Sequence, residues 1–119
     1  MKRILLLMCL SLSCMTLSAQ NDYYERQAKS YQNEAEYYVK QAQGYDRDVE
    51  YYTREAAGHL RDAEYYQRQK QYDQARSALQ RARRSLDRAD DNKRRADNAR
   101  SSAISYMRRA EDALGNIRK

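Results

Sequence analysis

The chain has 119 residues, enough for at most one domain, and its 23 basic and 17 acidic side chains give a formal charge of +6. It contains no proline, tryptophan or phenylalanine, only 3 glycines, and 12 tyrosines. This composition excludes a thick globular core and leaves two outcomes, disorder or a narrow seam buried along helices.

In chain order, Met1-Lys2-Arg3 precedes an apolar run from Ile4 to Leu12 that continues through Cys14 to Leu17, and Leu17-Ser18-Ala19 precedes Gln20. A positive start, a short apolar middle and a small residue at the cut predict a secretory signal over residues 1–19. The run is too short and too rich in serine for a comfortable membrane span. An alternative uses Cys14, because Leu10-Ser11-Leu12-Ser13-Cys14 fits a permissive lipidation motif. The expected location is therefore secreted or periplasmic, or outer-membrane-anchored through a lipid on Cys14. Cys9 and Cys14 both lie within the signal, so a chain starting at Gln20 has no thiol for a disulfide, a zinc site or nucleophilic catalysis.

Residues 20–119 read as one helical, coiled-coil-like domain. Its first half repeats every fourteen residues, at Asp22-Tyr23-Tyr24, Glu36-Tyr37-Tyr38, Glu50-Tyr51-Tyr52 and Glu64-Tyr65-Tyr66. Fourteen residues are two heptads, so each unit returns to the same side of a slightly underwound helix. Ala28, Ala35, Ala42, Val49, Ala56 and Ala63 share one heptad position. Tyr24, Tyr31, Tyr38, Tyr45, Tyr52, His59 and Tyr66 share the position three residues on, or four residues before. These are the a and d spacings of a buried seam. Arg26, Asn33, Lys40, Arg47, Arg54, Arg61 and Arg68 lie opposite, as a solvated and mainly basic face. Beside the seam runs a series alternating large and small: Tyr23, Ser30, Tyr37, Gly44, Tyr51, Gly58 and Tyr65.

The second half keeps an alanine every seven residues, from Ala75 through Ala82, Ala89, Ala96 and Ala103 to Ala110. Leu79, Leu86, Met107 and Leu114 stand four residues after members of that series and are the expected second half of the seam, interrupted by Lys93 and Arg100. Between the halves the alanine position slips by two residues, which predicts a break between about Tyr66 and Ala75. The expected elements are a helix over about 21–68, a turn over about 69–73 with Asp73 capping the next helix, and a helix over about 74–117. Asp90-Asp91-Asn92 is a second candidate break. The fold class is all-α, as an antiparallel helical hairpin, with a continuous oligomeric coiled coil as the alternative. Gln20–Asp73 holds 8 basic and 11 acidic residues, net −3, and Gln74–Lys119 holds 13 and 6, net +7. A hairpin lays these opposite charges side by side. It also brings Lys93 and Arg100 near Tyr45 and Tyr38, where cation–π contact makes a charge tolerable.

The residues offer no constellation for catalysis, and no enzyme is expected. His59 is the only histidine, stands in the tyrosine series, and reads as a packing substitution. No cofactor or metal is expected. The outer tyrosines Tyr23, Tyr37, Tyr51 and Tyr65, with Gly44 and Gly58 between them, form a candidate partner-binding strip. Tyrosine offers large area at low entropic cost, and glycine lets a neighbour approach closely. Arg81, Arg84, Arg88 and Arg95 form a candidate anion-facing group.

Residues 89–119 carry alanine heptads, the run Ala110-Glu111-Asp112-Ala113-Leu114-Gly115 and the terminal Arg118-Lys119. This third of the chain resembles the small murein-lipoprotein and alanine-zipper proteins of the bacterial outer membrane. The resemblance implies a helix anchored by a lipidated N-terminal cysteine, which falls on Cys14, and joined to peptidoglycan through its C-terminal lysine, which falls on Lys119. The expected function is a structural or interaction protein of the cell envelope, with itself or another helical protein as partner. The alternative is a basic binding module or holdase-type chaperone for unfolded protein, lipopolysaccharide or another anionic surface. Nucleic acid is not an expected partner.

Overall fold

The computed structural model describes residues 2–117, and their side chains from 17 to 117. The side chain of Cys14 and all of Lys119 lie outside the described residues. Two helices account for nearly all of the rest: α1, Lys2–Arg68, and α2, Tyr72–Gly115. They pack antiparallel as a helical hairpin, and no strand occurs among the described residues. With no proline, nothing in either segment removes a backbone donor, so each helix runs on until its own capping ends it. Asp90-Asp91-Asn92 does not break α2. The Asn92 side-chain amide donates to the Arg88 carbonyl one turn back at 2.9 Å, which keeps its polar group on the helix surface.

The connection is three residues long. Gln71 N–H donates to the Tyr66 carbonyl at 2.8 Å and Lys70 N–H to the Gln67 carbonyl at 3.1 Å, the paired bonds of a Schellman cap. That motif needs a left-handed residue after the helix, and Lys70 adopts it with φ of 58°. Glycine usually fills this position, so the turn carries no obvious sequence mark. Ala75 N–H donates to the Gln71 carbonyl at 3.0 Å, which starts α2 at Tyr72. Asp73 is therefore inside the first turn of α2 and not its cap. There its carboxylate meets the positive end of the helix dipole.

The tertiary contacts fall into two compact units. In the unit made of residues 38–101, Asp46 of α1 meets Arg100 of α2, and Tyr52 lies under Arg88 with the guanidinium 5.8 Å from the ring centre. In the unit made of residues 1–37 and 102–119, the rings of Tyr31 and Tyr106 lie 6.2 Å apart, and Tyr24 lines a surface depression with Gly115 and Asn116. In each unit the α2 number falls as the α1 number rises, the register of antiparallel helices.

The core is built from alanine. On α1, Ala28, Ala35, Ala42, Ala56 and Ala63 are buried, and the tyrosine series three residues on is half-buried. On α2 the series from Ala75 to Ala110 is also buried, with Ala96 at 0 % exposure. The second α2 position differs from the sequence expectation. It is the one three residues later: Ala78, Ser85, Ala99 and Ala113 are buried, and Asn92 and Tyr106 half-buried. Leu79, Leu86, Met107 and Leu114 lie at the edge, each about half exposed. Bulk decides the choice, because α1 already brings a tyrosine to nearly every turn of its seam. Small residues opposite leave room for those rings, whereas leucines there would overpack the interface.

Candidate interaction surface

The tyrosine pairs of α1 divide their labour. In each pair the second ring enters the seam and the first stands outside it. Tyr51 and Tyr52 meet edge to face with ring centres 5.3 Å apart, and Tyr65 and Tyr66 do so at 5.6 Å. Tyr23 and Tyr24 repeat the arrangement at 5.5 Å in the other unit. Edge-to-face contact is favoured by the ring quadrupole, so each half-buried ring steadies the exposed one beside it. Tyr23, Tyr37, Tyr51 and Tyr65 are all exposed, Tyr51 the most at 63 %.

Gly44 and Gly58 share the heptad position of Tyr51 and Tyr65 and lie in the same unit. A methyl group built on either glycine would meet nothing within 4 Å. Neither glycine is needed for the packing of α1 on α2. Each still costs about 1 kcal/mol of helix propensity against alanine.

Arg81, Arg84, Arg88 and Arg95 are exposed and follow one another on one face of α2 at helical spacing. Arg88 also covers the Tyr52 ring, so it belongs partly to the hairpin. Arg100, expected beside a tyrosine ring, is held by ion pairs. Its guanidinium pairs with Asp46 across the hairpin and with Asp97 on its own helix at 3.1 Å. The hydrogen bond to Asp46 is the main cause of a pKa raised further above the ordinary arginine value. Both partners of the cross-hairpin bridge are about half exposed, so the pair acts mainly in fixing register. His59 sits half-buried in the α1 seam, with Nε2 3.6 Å from Glu55.

One apolar feature was not anticipated as surface. Leu60 of α1 and Leu79 and Leu86 of α2 are about half exposed in the unit that contains the turn. Only Leu60 had a sequence signal for this, its heptad position one beyond the tyrosine seam, because spacing put Leu79 and Leu86 in the seam. Among the described residues no three histidine, cysteine, aspartate or glutamate side chains are grouped to hold a metal ion, and no helix is long and apolar enough to cross a membrane. No protein-family model, curated protein or solved structure matches the chain. The arrangement as it stands offers surfaces for association, with the aromatic row on α1 the most regular of them.

Proposed function

We propose that the protein is a non-enzymatic structural or interaction component of the bacterial cell envelope, a helical hairpin that presents the outer tyrosines of α1 to another helical protein or to a second copy. One observation carries this reading. Within each unit α2 already covers the alanine–tyrosine seam, and the first tyrosine of each pair still faces solvent. An exposed aromatic row on a helix whose packing is otherwise complete is a surface kept for contact. Export through the N-terminal signal delivers the hairpin to the envelope, with lipidation of Cys14 and wall attachment through Lys119 as further possibilities drawn from the murein-lipoprotein resemblance. The test is retention of proteins from an envelope extract by the wild-type chain and by Tyr51→Ala/Tyr65→Ala. Loss of the retained proteins in the variant supports the reading, and unchanged retention rules out the tyrosine row.

The exposed arginines of α2 favour a second reading, a basic module that binds unfolded protein, lipopolysaccharide or another anionic surface. Binding that weakens steeply with salt and depends on Arg81, Arg84 and Arg95 favours it over the helical partner.

A further inference from the structure

The stretch Gly44, Tyr51, Gly58 and Tyr65 has charged edges of opposite sign. Residues three and four apart are neighbours on a helix surface. Arg47, Arg54 and Arg61 therefore line one edge of this row, and Asp48, Glu55 and Asp62 line the other. All ten residues belong to one compact unit. Of the six charged residues, Glu55 is half-buried and the rest are exposed. Arg54 pairs with Glu50 on its own helix, an exposed contact that is worth little and is readily exchanged.

We infer that this face binds a second copy of the chain, α1 against α1, parallel and in register about a two-fold axis. Charge sets the orientation. A parallel copy lays its acidic edge on the arginine edge of the first, and the symmetry repeats this on the other side. A reversed copy lays arginine on arginine and acid on acid. The glycines set the distance. A β-carbon at either position would meet nothing within 4 Å, and a helix drawn in from outside explains why a costly residue recurs fourteen positions apart. A helical side chain leans towards the N-terminus and covers the turn before its own Cα. The two Tyr51 rings thus lean from their own level towards that of the two Gly44 residues, two turns before, and the Tyr65 rings towards that of Gly58.

This pairing rests on the reading of the chain as a helical interaction protein and names one partner for it. It is tested by sedimentation equilibrium of the full chain over a wide concentration range, with wild type and two variants. The wild type is expected to form a reversible dimer. Gly44→Leu/Gly58→Leu should weaken that dimer about tenfold or more. When dilute, its melting temperature should equal or exceed that of wild type, since leucine is a better helix former and its β-carbon meets nothing within 4 Å. Arg47→Glu/Arg54→Glu/Arg61→Glu makes both edges acidic and should abolish the dimer. An antiparallel dimer would keep its strength in that variant, because acid on acid merely replaces arginine on arginine. A wild type that stays monomeric at its highest soluble concentration overturns the pairing, as does a leucine variant that dimerises like wild type. If the wild type is a monomer and Tyr51→Ala/Tyr65→Ala still loses its envelope partners, the pairing fails and the interaction reading stands. A chain without helix by circular dichroism at every concentration ends both.

Discussion

Single residues already show how this hairpin trades local cost for packing. Lys70 holds a left-handed backbone at the end of α1, where a β-carbon crowds the following carbonyl. Lys70→Gly should relieve that strain and stabilise the fold by about 1 kcal/mol, less the greater entropy of glycine in the unfolded chain. A thermal melt followed by circular dichroism checks it, and an unchanged or lowered midpoint would show that the lysine side chain contributes to the turn. The tyrosines supply the second prediction. Tyr45 and Tyr52 are half-buried in the seam, and Tyr51 and Tyr65 are exposed beside it. Tyr45→Ala/Tyr52→Ala should cost roughly 2 kcal/mol per residue, about half the cost of truncating a fully buried aromatic. Tyr51→Ala/Tyr65→Ala should change the midpoint little, losing only the edge-to-face contacts. Equal losses in the two variants would mean that both rings of a pair share the burial.

At the scale of the helix, the distinction between a seam position and its neighbour governs what each substitution does. Ala96 on α2 is fully buried, and Leu86 is about half exposed. Ala96→Leu adds three carbons where none fit and should destabilise by about 1–3 kcal/mol. Leu86→Ala removes an edge side chain without opening an enclosed cavity and should cost about 1 kcal/mol. Urea melts of the two variants separate these outcomes. A larger loss for Leu86→Ala would return the leucines to the seam, where spacing alone had put them. The periodicity of seven was legible in both helices, and so was the alanine member of each seam. The second member of α2 was not. Alanine spacing offers a choice between the position three residues on and the one four residues on, and hydrophobicity favours the leucines. Only the tyrosines arriving from α1 reverse that preference, and they are distant in sequence.

For the molecule as a whole, charge is the property with the widest reach. The excess of arginine lies in α2, on a face that includes Arg81, Arg84, Arg88 and Arg95. If that face meets anionic envelope surfaces, binding to vesicles containing anionic lipid should be measurable at low ionic strength and fall steadily as salt rises. Arg81→Gln/Arg84→Gln/Arg95→Gln should reduce it about tenfold or more, with each basic residue near such a surface worth about 1 kcal/mol. Arg88 is left unchanged in that variant because it also covers Tyr52. Binding that ignores both salt and substitution would remove the anionic surface as a partner. The same measurement leaves the tyrosine row untouched, so the two surfaces are tested independently.

The sequence by itself determined that there are two helices, the place of the turn within a few residues and the division of each tyrosine pair, but not that α1 begins at Lys2. Seven-residue spacing and the two-residue slip of the alanines are properties of one chain read along its length. Three features were decided only in the folded chain. Lys70 became the left-handed residue because the cap required one where no glycine stood. The small side chains of α2 became the seam because the tyrosines of α1 needed the space, leaving the leucines outside. Arg100 found Asp46 because antiparallel packing set them side by side from residues far apart in the chain. For the last two the physical reason is the same. Local pattern fixes which face of a helix is apolar, and the bulk and charge of the facing helix select which residues on that face are buried.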